Sequence, residues 1–281
     1  MPTDNLNGKR PVFLLGLGAQ KSGTTWLYRY LEEADNFAGG FAKEYHIWDA
    51  TDILPMRHFK GRRIDILSGG KKAQRYRMQK DTRRYFDYFE GLLRDGAKLT
   101  ADITPSYSGL GVERLWFIKD EFGKRGVETR AVILIRDPLV RIKSAVRFNL
   151  RKKNYNEGIL LGETDFLAAL QQYYRTEDCR LRTSYHETIP NALKVFGREH
   201  TYIGIYETMF QSSEIARLSE FCGVPERQKM AQVYINKTSG EMAEDHALDA
   251  EIIAAYQECY EYCRAFFPET KSLWSYRNGA Q

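Results

Sequence analysis

The chain has 281 residues, 43% of them hydrophobic and 28% charged, a balance that suits a folded core and excludes a disordered chain. No apolar run approaches the roughly 18 residues that a membrane-spanning helix needs. The net charge of +5 is uneven: between Arg57 and Arg84, 11 Lys or Arg face only Asp65 and Asp81, a local +9, which suits a polyanion or phosphate-bearing ligand as well as a solvated helical insertion.

In chain order, the apolar stretch 11–19 follows a hydrophilic decapeptide and runs into Lys21, unlike an export signal; a soluble, cytoplasmic protein is expected. Short apolar runs predict strands at 12–17, 98–103, 132–135 and 201–205. Helical periodicity predicts helices at 24–33, 85–93, 113–122, 139–150, 166–185, 214–222 and 249–266. With no internal repeat or linker, a single domain over 1–281 is expected, with a basic helical insertion at 57–84 and a C-terminal helix and tail at 246–281. Strands alternating with helices argue an α/β fold, a parallel sheet of four or five strands covered on both faces. Ligands then bind at the carboxyl ends of the strands. Four cysteines are too few for a disulfide framework. Cys259 and Cys263 lie four apart on a helix and read as buried thiols rather than a metal pair.

The loop after the first strand, Gly16-Leu-Gly-Ala-Gln-Lys21-Ser-Gly-Thr-Thr-Trp26, carries the strongest chemistry. Glycines present consecutive backbone N–H groups and the following helix N-terminus adds positive potential. Lys21 supplies a mobile cation, and Ser22, Thr24 and Thr25 supply hydroxyls. As a dinucleotide fingerprint the loop lacks the third glycine; as a nucleoside-triphosphatase loop it has Gln20 where a glycine precedes the lysine. An ordinary glycine-rich turn explains the run Lys-Ser-Gly-Thr-Thr-Trp poorly.

Gln20-Lys21-Ser22-Gly23-Thr24-Thr25-Trp26-Leu27 resembles the 5′-phosphosulfate loop of the sulfotransferases that use 3′-phosphoadenosine 5′-phosphosulfate (PAPS), in the form found in their cytosolic branch. The resemblance implies a P-loop-kinase-like sulfotransferase fold, with Lys21 at the bridging oxygen and sulfonate. It also implies that Ser22, Gly23, Thr24 and Thr25 wrap the 5′-phosphate and that Trp26 lies near the adenine.

A second buried strand ends abruptly in Arg136-Asp137-Pro138, and proline suits the first turn of a helix. A guanidinium with a serine hydroxyl is good chemistry for a terminal phosphate, although Arg136 pairing with a carboxylate would explain it equally. The segment resembles the second sulfotransferase signature, in which Arg136 and Ser144 would bind the 3′-phosphate. Tyr206, in Ile-Tyr-Glu-Thr, looks like the family's tyrosine beside the base, and Lys237 and Thr238 fall where the family places its late cofactor loop.

Sulfuryl transfer needs a base for the acceptor and cations where charge builds on the leaving phosphate. Lys43-Glu44-Tyr-His46-Ile-Trp-Asp49 concentrates an ammonium, two carboxylates and an imidazole, and strand alternation would place Glu44 and His46 on one face. The stretch resembles the Glu-x-His segment of the heparan-sulfate-type branch, which implies Glu44 as base with His46 the competitor; Lys43 would contact the substrate. Asp102-Ile103-Thr104-Pro105-Ser106-Tyr107 resembles an acceptor-site segment of that branch, but Ile103 replaces its lysine, which argues against a heavily sulfated glycan. The expected reaction is PAPS-dependent sulfation of a hydroxyl, or less readily an amine, on a carbohydrate or small molecule, with no metal and no nucleic-acid partner. Two readings compete: a magnesium-dependent kinase using Asp137, and a non-catalytic polyanion-binding protein using 57–84.

Overall fold

The computed structural model describes residues 10–94, 96–232 and 245–274. Five strands form one sheet: β1 (Val12–Gly16), β2 (Phe37–Ala38), β3 (Leu99–Ile103), β4 (Glu128–Ile135) and β5 (Thr201–Ile205). Their order is β2-β3-β1-β4-β5, and every neighbouring pair is parallel. The expected parallel α/β sheet is therefore present. Its fifth strand, β2, has two residues, too short to leave a periodic signal.

β1 is buried on every residue, as a central parallel strand must be when both faces are covered. Its side chains alternate between the two faces. Phe13 and Leu15 join the larger core. This contains Tyr85, Phe86 and Phe89 of α4 (Arg83–Arg94) and Leu115, Ile118 and Phe122 of α5 (Val112–Gly123). Val12 and Leu14 join the smaller one with Trp26, Leu27, Tyr30 and Leu31 of α1 (Thr24–Glu32). Phe13 alone stacks on Phe122 at 4.1 Å and meets Phe89 edge-on at 4.8 Å, the aromatic geometry that packs best.

After β1 the chain crosses to β2 and β3 on one side, then returns to β4 on the other. The carboxyl end of β1 is thus where the strand order reverses, and there the sheet leaves a crevice. Pro138, at the first position of α6 (Pro138–Lys152), follows β4 as its missing N–H allows.

Three expectations change. The predicted helix 166–185 is broken in two by Thr176, Thr183 and Ser184, whose side chains bond backbone groups in place of the helical ladder. Thr176 caps Cys179 N, and Thr183 Oγ1 reaches Cys179 O at 2.6 Å. The pieces are α7 (Phe166–Tyr173) and α8 (Glu177–Leu181), and α9 (Tyr185–Phe196) begins where the prediction ended. The predicted 249–266 helix divides at Tyr256, with φ −113°, into α11 (His246–Ala255) and α12 (Gln257–Phe266); α10 (Ser212–Cys222) precedes them. Tyr256 turns there to bury its ring and bond Tyr174 O at 2.7 Å. The 43–49 stretch is no strand: it is a loop running into α2 (Trp48–Asp52).

Candidate active site

The loop after β1 begins by extending the sheet, with Leu17 N and Ala19 N bonding Val132 O and Leu134 O of β4 at 2.9 and 2.7 Å. It then turns tightly through Gly18 (φ 99°), Lys21 (φ 68°) and Gly23 (φ 92°). Gly23 cannot be another residue without strain: besides its left-handed backbone, a Cβ there would lie 2.8 Å from Met209 Sδ. α1 starts immediately afterwards, and no side chain caps its N-terminus, so its leading N–H groups remain for an anion. Ser22 is fully buried and its Oγ has no hydrogen-bond partner. An anion on this loop would supply the missing partner.

Cations converge on this loop. Burial first, and then the charges of Arg151, Arg136, Arg147 and Arg141, push the Lys21 ammonium down to about 8. Its Nζ lies 4.5 Å over the ring of Phe148. Arg136 Nη1 donates to Lys21 O at 3.2 Å and the guanidinium covers Tyr206 at 4.3 Å, while its buried Nε has no partner. Among the described residues, none of Lys21, Arg136 and Arg147 forms an ion pair. A cluster of like charge this close is destabilising unless an anion completes it.

Lys21, Arg136 and Phe148 line a cavity of about 290 Å³ that also takes in Gly23, Thr24, Thr25, Trp26, Ser144, Tyr206 and Phe210. One end is aromatic: Trp26 meets Phe210 edge-on at 5.3 Å, and Phe210 meets Tyr206 at 5.5 Å. Trp26 is fixed by stacking on Tyr30 and by donating Nε1–H to Met230 O at 2.9 Å.

The loop after β2 lines the same cavity with Lys43, Glu44 and His46. It runs along the carboxyl end of β3, where Ile103 N bonds Lys43 O at 2.9 Å. Glu44 and His46 do come together, but through a left-handed turn at His46 (φ 53°) rather than through a strand pleat. His46 Nδ1 lies 2.7 Å from Asp49 Oδ2 and Nε2 lies 3.4 Å from Glu44 Oε2. Glu44 Oε1 takes Lys43 Nζ at 2.5 Å, and Lys43 also donates to Thr24 Oγ1 at 3.4 Å. Burial would raise the Glu44 carboxyl, but the His46 hydrogen bond and the Lys43 charge outweigh it and hold it at about 2. Burial would lower the His46 imidazole, but Asp49 and Glu44 overcome it and raise it above its ordinary value. The two carboxylates thus favour the protonated imidazole between them.

Asp49, fully buried, also accepts Ala50 N at 2.8 Å and Ser106 Oγ. Asp102 lies beneath the loop rather than in the cavity. It accepts from Tyr85 and Tyr107, each at 2.9 Å, and from Thr104 at 2.5 Å, and Tyr107 in turn receives Ile47 N at 3.1 Å. Burial pushes Asp102 up to about 6 in spite of these donors. The segment that resembles an acceptor site therefore sends Pro105 and Ser106 to the cavity and uses Asp102 as a foundation.

The basic stretch supplies the other half of that foundation. It folds as two short 3₁₀ turns, Leu54–Phe59 and Arg63–Ile66, and α3 (Gly70–Lys80). Arg75 donates to Tyr45 O at 2.7 Å and Glu44 O at 3.0 Å, and Gln79 donates to His46 O at 2.6 Å. These braces are what sequence reasoning missed. Asp49 was visible as part of the motif, but the pairing of Arg75 and Gln79 with loop carbonyls leaves no sequence trace.

The remaining wall is a buried polar cluster. Arg182 pairs with Glu157 at 3.1 Å, which also accepts from Asn149 at 2.7 Å and Gln20 at 3.3 Å. Gln20, out of place for a triphosphatase loop, thereby ties the phosphate loop to this wall. Lys237 and Thr238 lie outside the described residues.

Asp137 does not offer itself to a magnesium ion. Its carboxylate caps α6, accepting Leu139 N at 2.9 Å, and takes Tyr260 OH at 2.7 Å. Cys259 and Cys263 are buried, and Cys259 donates to Thr183 O at 3.0 Å. Among the described residues no group of three or more His, Cys, Asp or Glu is arranged to hold a metal ion, and no helix is long and apolar enough to cross a membrane.

No protein-family model and no curated protein matches the chain. Solved structures do match. The sulfotransferase from Alicyclobacillus acidocaldarius aligns with 93% of this chain and 97% of its own, at TM-score 0.59 and 20% identity. The sulfotransferase domain of the Synechococcus PCC 7002 olefin synthase aligns over 91% and 97% of the two chains, at TM-score 0.46 and 15% identity. That of the curacin biosynthetic pathway aligns over 88% and 97%, at TM-score 0.45 and 16% identity. With its five parallel strands and the phosphate-type loop at the point where their order reverses, the chain has the α/β fold of the sulfotransferases.

Proposed function

We propose that the protein is a PAPS-dependent sulfotransferase that modifies a hydroxyl, or less readily an amine, of a carbohydrate or small-molecule acceptor. The observation that carries this reading is that Lys21 and Glu44, from two different strand ends, line one cavity with Lys43 between them. The donor fits the residues present: Arg136 and Arg147, which form no ion pair among the described residues, stand near Lys21, Ser22 Oγ has no hydrogen-bond partner there, and three aromatic rings stand at one end for a base. Arg136 and Ser144 would hold its 3′-phosphate and the 22–25 loop its 5′-phosphate, with Lys237 and Thr238 as further contacts to the donor.

When bound, PAPS supplies an activated sulfuryl group on a phosphate that leaves as a stable anion. Lys21 neutralises the charge gathering on that phosphate. Lys43 is shared between Glu44 Oε1 and Thr24 on the phosphate loop, so an anion on the loop competes with Glu44 for its ammonium. As Lys43 turns toward the anion, Glu44 loses the charge that holds it down and its carboxylate becomes a better proton acceptor. Glu44 then takes the acceptor's proton while His46, charged and fixed by Asp49, keeps the carboxylate aimed. With both its ring nitrogens facing carboxylates, His46 is poorly placed to be the base itself. The kinase reading loses its support because Asp137 is committed to capping α6.

Calorimetric titration with 3′-phosphoadenosine 5′-phosphate, with and without a chelator and with ATP as control, tests the reading. Metal-independent binding that ignores ATP is expected. Magnesium-dependent binding of ATP alone would overturn it.

A further inference from the structure

We infer that the segment 54–80 docks the protein on an anionic lipid bilayer. Its outer surface combines two features that soluble surfaces keep apart. Aliphatic side chains project into water: Leu54 is 63% exposed, Ile64 60% and Leu67 85%. In the same segment Lys60, Arg62, Arg63, Lys71, Lys72 and Arg77 are all exposed, and among the described residues none of these six forms an ion pair. Exposed leucines singly need no explanation, but several within 14 residues, set among unpaired cations, match the chemistry of a lipid interface. There the alkyl groups enter the acyl boundary and the cations meet headgroup phosphates.

The segment is also rigidly mounted. Ala73 and Met78 of α3 are buried, Gln79 Oε1 accepts Gly61 N at 2.7 Å, and the same glutamine and Arg75 hold the loop of Glu44 and His46. A second aliphatic tip is present: Leu160 (66%) and Leu161 (88%) are exposed on a loop between the exposed Lys152 and Lys153 and the exposed Asp165. Both segments border one cavity, to which the first contributes Phe59 and the second Asn154 and Glu157. Arg182 joins them, with Nη2 on Met56 Sδ at 3.2 Å and Nη1 on Glu157. A soluble polyanion would engage the cations and leave the aliphatic tips in water, whereas a bilayer surface accommodates both. The absence of a spanning helix among the described residues fits a peripheral contact.

The experiment is sedimentation of the intact protein with vesicles of phosphatidylcholine alone or of equal parts phosphatidylcholine and phosphatidylglycerol. It reads binding without turnover and so stands apart from the reaction proposed above. The protein is expected to sediment with the anionic vesicles only. Lys71→Glu/Lys72→Glu should weaken partitioning by about 30-fold or more. Ile64→Asn/Leu67→Asn, which leaves the charge unaltered, should also weaken it about tenfold or more while leaving retention on a heparin column unchanged. Protein that stays in the supernatant with anionic vesicles would overturn the inference. Unchanged partitioning of the Ile64/Leu67 variant would do the same, reducing the surface to a bare polyanion site. A fall in oligomer mass in that variant without loss of vesicle binding would instead assign the patch to a second copy of the chain.

Discussion

The ring of Phe59 lies flat on the imidazole of His46, with centroids 3.6 Å and planes 9° apart. Phe59 belongs to the basic stretch and His46 to the loop of the candidate base, so the stacking welds the two. It covers one face of an imidazole whose edges are held by Asp49 and Glu44.

That arrangement has a consequence for stability. A histidine raised above its unfolded value contributes stability that is whole below about pH 6.5 and is lost as pH rises through the folded value. Thermal unfolding of the protein and of His46→Phe should therefore differ most on the acid side and converge as pH rises. A difference that grows with pH would contradict the charged imidazole.

Glu44→Gln should lower kcat by about 10²- to 10⁴-fold, the usual loss for a general base, without weakening the affinity for 3′-phosphoadenosine 5′-phosphate. Lys21→Ala should lower kcat and also weaken that nucleotide by about 10- to 100-fold, as expected for a lost charge-assisted bond. Paired kinetics and calorimetry on the two variants separate base from phosphate ligand.

Lys21, held at about 8 in the free protein, should rise when phosphates surround it. Binding near and above pH 8 must then take up a proton, and nucleotide affinity should fall as pH climbs through that value. Calorimetry near pH 8 in two buffers of different ionisation enthalpy measures the uptake directly. Lys21→Ala should show none.

Gln79→Ala removes the bonds to His46 O and Gly61 N and should cost about 1–3 kcal/mol of stability. A merely structural role would stop there. A positioning role predicts in addition a kcat about tenfold lower, a displaced pH–kcat profile and unchanged nucleotide affinity, with Gln79→Glu failing to restore activity because it cannot donate to a carbonyl when ionised.

Gly23→Ala should destabilise by about 1–3 kcal/mol, from the left-handed backbone and the contact with Met209, and should abolish nucleotide binding as the loop shifts. Denaturant unfolding and nucleotide titration check both.

The sequence by itself determined the parallel sheet, the phosphate-type loop and the two segments that flank it. Each of these rests on local physics: unbroken apolar runs for buried strands, glycines where the backbone must turn left-handed, proline at a helix start. It also placed Lys43, Glu44, His46 and Asp49 together, because they are neighbours in the chain. Only the tertiary structure decided what those neighbours do. A pleat and a left-handed turn both bring Glu44 to His46, but only the turn leaves Asp49 on the far nitrogen, where it favours the protonated imidazole. Likewise, nothing local shows that Arg75 and Gln79 end on the carbonyls of Glu44, Tyr45 and His46, that Gln20 meets Glu157, or that Asp137 is consumed by a helix cap and Tyr260. Such contacts join residues up to 137 positions apart, and hydrogen bonds to backbone carbonyls accept almost any donor of the right length, so they leave no pattern to read.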